Sequence, residues 1–456
     1  MLLNEKIFKA YDIRGVYAKD FDEKFAYKLG LAYAQMRKDE LKKEQGIKVV
    51  VARDMRLSSP QLQKYLIDGL LDAGLDVLDI GLNSTPTFYF AVAKLNYDGG
   101  IIVSASHNPA IWNGFKVVRN RAMPVGGDTG LEKIKNLILK NSLNLSKTKG
   151  KLQLNNFILD EEVEHSLSFV NTEKIKPMKI VVDAANSMGS PYCKKLFEKI
   201  PATLIPVNFE LDGTFPSHEA DPLKEDNLKQ LKDRVLSESA DLGVATDGDG
   251  DRVFFVDNKG KAINQAIIRG ILAKIFLRDK PGSKIAYDVR PGKITQDLII
   301  ENGGIPVVSR VGHSLIKDQA IKENIYFAGE SSGHFFLNMD IGCYEVPMIV
   351  ILKILEELST ANISASEYFS PYNKYYHSGE INLEVQDKEV LLKKIIEKYK
   401  DGKINLLDGV SVTYEDFWFN VRASNTEEKI RLNLEAITKK TMEEKTQAVL
   451  KFIKNE

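Results

Sequence analysis

The chain has 456 residues, and its 63 lysines and arginines balance 63 aspartates and glutamates, so the formal net charge is zero. That neutrality excludes a global electrostatic grip on nucleic acid or on an anionic membrane. A hydrophobic share of 43% and a charged share of 28% exclude disorder and collagen-like structure, and leave a globular protein of about three or four domains.

In chain order, Met1-Leu2-Leu3-Asn4-Glu5-Lys6 has no basic region followed by an apolar stretch and does not read as a signal peptide. Lys48-Val49-Val50-Val51, running into Ala52-Arg53-Asp54, predicts a strand. A helical pattern follows through Leu62, Tyr65, Leu66 and Leu70, then a second strand from Asp76 to Ile80. Lys179-Ile180-Val181-Val182-Asp183 opens the same pattern again, with a helix-like stretch from Tyr192 to Ile200 and a strand at Leu204 to Val207. Lys284-Ile285-Ala286-Tyr287-Asp288 opens it a third time, with Leu298-Ile299-Ile300 and then Ile305 to Val308. Three such passages predict βαβ units on mixed or parallel sheets, although shared βαβ grammar without duplication gives the same pattern. Polar breaks fall at Lys140 to Lys151, near Asn258-Lys259-Gly260 and from Ala361 to Tyr372. The apolar run at Pro347 to Leu352 is ended by Lys353, too short for a membrane span. The last segment reads as strand (Ile381 to Val385), helix (Glu389 to Tyr399), strand (Val410 to Tyr414) and a closing amphipathic helix (Thr441 to Ile453), an α+β layout unlike the first three. The expected domains are therefore 1–150, 151–257, 258–366 and 367–456. Cys193 and Cys343 are the two cysteines, with no Cys-x-x-Cys for zinc or redox work, which suits a cytoplasmic protein.

Four segments carry chemistry. The apolar run Gly100 to Val103 ends in Ser104-Ala105-Ser106-His107-Asn108-Pro109, and ligands bind at strand ends in α/β sheets. Ser106 is then a nucleophile or phosphate carrier with His107 beside it, and Lys116, ten residues on, adds an amine; an ordinary Ser/Asn/Pro turn is the plain alternative. In Thr246-Asp247-Gly248-Asp249-Gly250-Asp251-Arg252, three carboxylates alternate with glycines, a pattern that can wrap one hard divalent cation. An EF-hand is excluded because Arg252 and Asn258 stand where it needs Gly and Glu. Gly329-Glu330-Ser331-Ser332-Gly333 matches the Gly-x-Ser-x-Gly elbow of esterases, but Phe335-Phe336-Leu337 continues apolar where that motif needs a helix. Glu330, Ser332 and His334 suit a hydroxyl-rich ligand instead. Arg422-Ala423-Ser424-Asn425-Thr426 combines a guanidinium, hydroxyls and an amide as a phosphate cradle, or as the capped start of a helix.

Taken together and in order, these four segments, with Phe8-Lys9-Ala10-Tyr11-Asp12-Ile13-Arg14-Gly15 and Gly312-His313-Ser314-Leu315-Ile316-Lys317, resemble the α-D-phosphohexomutase superfamily, most closely its bacterial phosphomannomutase/phosphoglucomutase branch. The resemblance spans the whole length. It implies three similar α/β domains with mixed sheets plus a C-terminal α+β domain around a central cleft. It implies interconversion of hexose 1-phosphate and hexose 6-phosphate, of mannose or glucose, through phosphorylated Ser106 and a bound 1,6-bisphosphosugar. By the same resemblance, Asp247, Asp249, Asp251 and Ser106 match magnesium ligands, and Arg252 lies next to the phosphate. Glu330, Ser332 and His334 match the sugar-reading loop, and Arg422, Ser424, Asn425 and Thr426 the site for the unreacting phosphate. Lys116 and His313 match residues that handle protons or orient the sugar, and Tyr11 and Arg14 line the cleft. A hexose 1,6-bisphosphate is implied as activator, and a monomer or small homo-oligomer as the assembly. The chain departs from the pattern at Ser331, where many relatives carry Met, at Arg290, where relatives often have Lys, at Ala110-Ile111-Trp112, and at Glu427-Glu428-Lys429. Ala423-Ser424-Asn425 argues against glucosamine as the main sugar. A phosphatase and a catalytically silent sugar-phosphate binder remain the rival classes.

Overall fold

Three strands, each meeting an aspartate at its carboxyl end, set the frame. Lys48–Arg53, Lys179–Asp183 and Lys284–Asp288 are buried along nearly their whole length, as strands covered on both faces must be. Each leads through a helix to a parallel neighbour: Asp76–Leu82, Thr203–Val207 and Ile305–Ser309 respectively. At each strand end the aspartate folds the chain back on itself. Asp54 Oδ1 accepts the Arg56 amide at 3.0 Å, Asp183 Oδ1 the Ala185 amide at 2.9 Å, and Asp288 Oδ1 the Arg290 amide at 3.0 Å.

The structure, a computed structural model, describes residues 3–290, 292–385, 387–423 and 429–455. The chain divides into two units, Met1–Ile263 with Ser332–Tyr368, and Asn264–Ser331 with Phe369–Glu456. In the first unit, a six-stranded mixed sheet runs Ile13–Val16, Trp112–Arg119, Gly99–Val103, Lys48–Arg53, Asp76–Leu82, Leu152–Leu154. Trp112–Arg119 is antiparallel to both its neighbours and the pairs beyond Gly99–Val103 are parallel. Helices Glu23–Leu41 and Ser59–Asp72 cover one side, and Phe25, Leu29, Leu66, Leu70, Val49 and Phe115 share one core. Asp22 starts the first of these helices by accepting the Phe25 amide. A four-stranded mixed sheet follows, in the order Val253–Asp257, Leu242–Thr246, Lys179–Asp183, Thr203–Val207. The same unit holds the hairpin Phe335–Met339/Gly342–Glu345 and the apolar helix Pro347–Ala361. That helix is tied down where Glu356 Oε1 accepts the Asn171 amide and Ser359 Oγ the Lys176 amide, both at 3.0 Å.

In the second unit, Ile305–Ser309, Lys284–Asp288 and Phe327–Gly329 lie side by side, all parallel. Asn324 takes a left-handed conformation (φ 53°) as the chain leaves helix His313–Lys322, and strand Phe327–Gly329 begins three residues later. The C-terminal part is an antiparallel sheet of Tyr376–His377, Ile430–Ala436, Phe417–Ala423, Val410–Thr413 and Lys403–Asn405, with Ile381–Leu383 also on Ile430–Ala436. Helices Lys388–Lys398 and Lys439–Asn455 bury Leu391, Ile395, Val449 and Ile453 against it. Cys193 and Cys343 are buried free thiols. Among the described residues, no helix is long and apolar enough to cross a membrane.

Candidate active site

Ser106 follows strand Gly99–Val103 and is 2% exposed, with a left-handed backbone (φ 51°) that a serine adopts only when its surroundings impose it. What imposes it is Arg56. This fully buried guanidinium donates to four carbonyls of one loop: Ser106 O at 2.8 Å, Asn108 O at 2.6 Å, Pro109 O at 2.8 Å and Trp112 O at 3.0 Å. Asp54 in turn holds Arg56 through Nε at 3.2 Å. The resulting turn aims Ser106 Oγ at Asp247 Oδ2, 3.1 Å away, with His107 Nδ1 also at 3.1 Å. Burial, reinforced by Arg252 and Arg14, pushes His107 well below the usual histidine range, so its imidazole is neutral. Arg14 donates to Asp12 at 2.7 Å and to Asn108 Oδ1 at 2.8 Å, bracing the same loop from strand Ile13–Val16.

The turn after strand Leu242–Thr246 brings Asp247, Asp249 and Asp251 together, all buried, with one ligand oxygen from each within 4.8 Å of the others. A Cβ on Gly248 would meet Ser106 O at 2.3 Å, so only glycine lets this turn lie against the serine. Asp247 Oδ1 accepts the amides of Asp251 and Arg252. Asp249 Oδ2 accepts Thr85 Oγ1 and Lys116 Nζ, both at 2.6 Å, and Lys116 Nζ also reaches Asp251 Oδ2 at 2.6 Å. Burial works against the Lys116 charge, but Asp249 and Asp251 hold its pKa well above the ordinary lysine value. Burial together with Asp251 and Asp249 drives Asp247 upward, the signature of carboxylates crowded without enough positive charge. Asp249 Oδ1 is buried and takes no hydrogen bond. Three buried carboxylates with an unclaimed oxygen fit one hard divalent cation. Arg252 lies 3.6 Å from Asp247 Oδ2 and 3.4 Å from Asp221 Oδ1. His334 sits in the same cluster, with Nε2 3.1 Å from Asp251 Oδ1 and Nδ1 2.8 Å from Ser332 Oγ. Tyr11 is half-buried just before strand Ile13–Val16.

The second unit gathers the remaining expected residues around Asp288. Asp288 accepts Arg290 Nη2 at 2.6 Å, Arg269 Nη1 at 3.3 Å, the Ser331 amide at 2.8 Å and Ser331 Oγ at 3.0 Å. Burial opposes its charge, but Arg290 and Arg269 hold the carboxyl far below the usual range. Arg290 Nη2 stands 4.0 Å from Glu330, whose Oε1 accepts the Gly312 amide at 2.8 Å, just ahead of His313. Arg422 is 2% exposed and donates to Glu380 at 3.2 Å. The sugar-loop residues are thus divided: Glu330 belongs to the second unit, Ser332 and His334 to the first. Ser331 is followed by strand Phe335–Met339 and its hydroxyl goes to Asp288, an arrangement that is no esterase elbow. Ser424, Asn425 and Thr426 lie outside the described residues.

Sequence reading missed Arg56, Asp54, Asp183, Asp288 and Glu380. The available signal was an acidic residue closing each of the three repeated strands, with arginine two residues on in Asp54-Met55-Arg56 and Asp288-Val289-Arg290.

The chain matches four family models in order: phosphoglucomutase/phosphomannomutase alpha/beta/alpha domain I over residues 5–145, domain II over 161–260, domain III over 264–375, and the C-terminal domain over 380–451. It is 39% identical to a phosphomannomutase of Methanocaldococcus jannaschii over 98% of this chain and 97% of that one. With a phosphomannomutase of Vibrio cholerae it shares 38% identity over 98% of each. Among solved structures, a phosphoglucomutase/phosphomannomutase family protein of Burkholderia thailandensis superposes with a TM-score of 0.89 at 31% identity, covering 100% of this chain and 98% of that one. With four domain matches in sequence and relatives aligned from end to end, the chain belongs to the phosphoglucomutase/phosphomannomutase family and is a mutase, an isomerase of carbohydrate metabolism.

Proposed function

We propose that the protein interconverts hexose 1-phosphate and hexose 6-phosphate, with mannose or glucose as the sugar, by way of a phosphoryl group carried on Ser106. The observation that carries this reading is the Ser106 hydroxyl itself. It is buried, held in a left-handed turn, and 3.1 Å from the nearest of three clustered aspartates. Binding a sugar phosphate does not call for such a hydroxyl, whereas transferring a phosphoryl group calls for positioning and charge neutralisation at one oxygen. Asp247, Asp249 and Asp251, with an oxygen of phosphorylated Ser106, would hold Mg2+, which supplies that neutralisation.

In the proposed cycle, the Ser106 Oγ–P bond breaks as a free hydroxyl of the hexose monophosphate takes the phosphoryl group; the proton that hydroxyl gives up ends on the leaving Ser106 Oγ, and goes back to the freed sugar oxygen when a phosphoryl group returns to the serine. The hexose 1,6-bisphosphate turns end for end, and its other phosphate returns to Ser106. Added hexose 1,6-bisphosphate loads an unphosphorylated Ser106 and so acts as activator. Lys116, kept as an ammonium by Asp249 and Asp251, neutralises and orients rather than accepting a proton. Neutral His107 keeps Nδ1 3.1 Å from Ser106 Oγ and so flanks the reacting oxygen. Arg14 and Arg252 add positive charge beside the transferring group, as Tyr11 and His313 help to seat the sugar. Glu330, Ser332 and His334 read its hydroxyls. Arg290 and Arg422, each facing Glu380, serve with Ser424, Asn425 and Thr426 for the phosphate that does not react.

The test is a magnesium-dependent assay with a trace of glucose 1,6-bisphosphate, running glucose 1-phosphate and mannose 1-phosphate side by side. Isomerised 6-phosphate is expected without free phosphate, and Ser106→Ala is expected to show no turnover above background. Full activity of Ser106→Ala would dispose of the phosphoserine, and free phosphate as the product would make the protein a phosphatase.

A further inference from the structure

The long connection from strand Thr203–Val207 to helix Lys229–Ser237 does more than join them. Within the first unit it runs back over the Ser106 loop and touches the site's supports at three places. Gly213 lies directly on the backbone of residues 55–57, where a Cβ would meet Arg56 Cα and Met55 O at 2.7 Å. The Phe215 ring then covers the Arg56 guanidinium, 5.1 Å from ring centre to Cζ, over the side chain that gathers the four loop carbonyls. Phe215 has φ 53°, a conformation that a phenylalanine keeps only under constraint. Further on, Ala220 borders Gly248 of the aspartate turn, and Asp221 Oδ1 stands 3.4 Å from Arg252 Nη1.

Between Phe215 and Asp221 the strap is fastened at one residue. His218 Nε2 lies 3.0 Å from Oδ2 of the buried Asp183, and His218 Nδ1 lies 2.9 Å from the carbonyl of Glu219. Both partners are acceptors, so both ring nitrogens must carry a proton for both bonds to exist. The neighbouring groups do not change this. Asn208 Nδ2, 3.4 Å from Nε2, donates to Asp183 Oδ1 and to Gln230 Oε1, and both Asn208 and Gln230 are uncharged. The Glu219 carboxylate is drawn away to Lys224, and Asp221 faces Arg252. Asp183 is thus the anion that meets His218 from the strand side.

We propose that His218 is a positioning residue: its imidazolium buckles the 208–221 strap to Asp183, and so keeps Phe215 on Arg56 and Asp221 against Arg252 while Ser106 reacts. The inference rests on the proposed phosphoserine cycle for its effect on turnover, but not for the latch itself. Burial acts to lower the His218 pKa, yet Asp183 and the Glu219 carbonyl leave it raised. The sign follows. Both bonds are intact below the ordinary histidine pKa, and one is lost as pH rises through the raised value. The strap then loosens and the Ser106 loop loses its fixed geometry.

The experiment uses the full-length enzyme and its His218→Gln and Asp183→Asn variants, with two readouts from about pH 6 to about pH 9. The first is hydrogen exchange of residues 208–221. The wild-type strap is expected to stay protected at low pH and open on the alkaline side. His218→Gln, which keeps one donor, should exchange fast at every pH, and Asp183→Asn should open at lower pH than wild type. The second is mutase kinetics. Wild-type kcat should fall along the same alkaline limb, and His218→Gln should begin about 10- to 100-fold lower and lack that limb, with KM little changed. Strap protection in His218→Gln equal to wild type would overturn the latch. A loosened strap with a wild-type kcat profile would overturn its positioning role. If the wild type turned over no hexose phosphate, the proposed function would fail while the exchange data still judged the latch.

Discussion

Lys116 is the side chain on which the first unit's electrostatics turn. Its ammonium is within 2.6 Å of both Asp249 and Asp251, and all three groups are buried. Removing one partner from such a group leaves uncompensated charge, which costs about 3–5 kcal/mol. Lys116→Met should therefore melt well below wild type in a chelator. Excess Mg2+ stabilises whichever form binds it, so the variant should recover more of its Tm on Mg2+ addition than the wild type gains. With one fixed cation lost from the site, kcat should drop about 10²–10³-fold. Equal melting of the two proteins in chelator would show that Lys116 is not carrying this charge. Lys116 and the three aspartates were legible in the sequence because glycine spacing and a strand-end turn are local features. Arg56 was not, since its function lies in carbonyls some fifty residues away. Asp183 and Asp288 looked like ordinary strand ends for the same reason: His218, Arg269 and Ser331 reach them from distant parts of the chain.

Helices Glu23–Leu41 and Ser59–Asp72 approach each other through reciprocal glycines. A Cβ on Gly69 would meet Tyr27 O at 2.2 Å, and one on Gly30 would meet Leu66 O at 2.6 Å. Neither obstacle is a side chain that can swing aside, so Gly69→Ala must push the helices apart. Overpacking of this kind costs about 1–3 kcal/mol. The variant should show a lower first transition in thermal unfolding with KM for hexose phosphate unchanged, because the close contacts of Gly69 and Gly30 involve none of the residues around Ser106. An unaltered transition would mean that the helices shift freely. The helices and strands of the three repeated passages were readable because buried parallel strands are continuously apolar and the helix faces keep their period. Strands Ile13–Val16, Phe417–Ala423 and Ile430–Ala436 were not. Ile13–Val16 is four residues long and carries Arg14 and Gly15. The two C-terminal strands bury Asn420, Arg422, Asn433 and Glu435. The apolar/polar alternation from Ile430 to Ala436 is present, but its polar positions do not face solvent as that pattern implies: Asn433 bonds Glu380, and Glu435 accepts Trp418 Nε1 and the Lys293 amide.

At the scale of the whole molecule, the chain does not pass once through each unit. It leaves the first unit at Ile263 and returns to it at Ser332, so residues 332–368 complete a body begun far earlier. Their contribution is structural and chemical together. Gly333 O accepts the Val253 amide at 3.0 Å beside the aspartate turn, and His334 stands against Asp251. Helix Pro347–Ala361 buries Met348, Ile349, Val350, Ile351 and Leu352, and holds residues 171 and 176 through Glu356 and Ser359. A fragment ending at residue 263 keeps Ser106, Lys116 and all three aspartates, yet lacks the segment that covers Val253 and pairs with Asp251. It exposes the apolar surface on which that helix rests, and is expected to aggregate or to melt without a cooperative transition. The same fragment joined through a flexible Gly-Ser linker to residues 332–368 restores the unit's own partners. It should unfold cooperatively and gain Tm on addition of Mg2+, while having no mutase activity, since Arg290, Glu330 and Arg422, the residues proposed for the sugar and the unreacting phosphate, are absent. Cooperative, Mg2+-responsive melting of the shorter fragment would show instead that the unit is complete at residue 263, and that the returning segment only caps it.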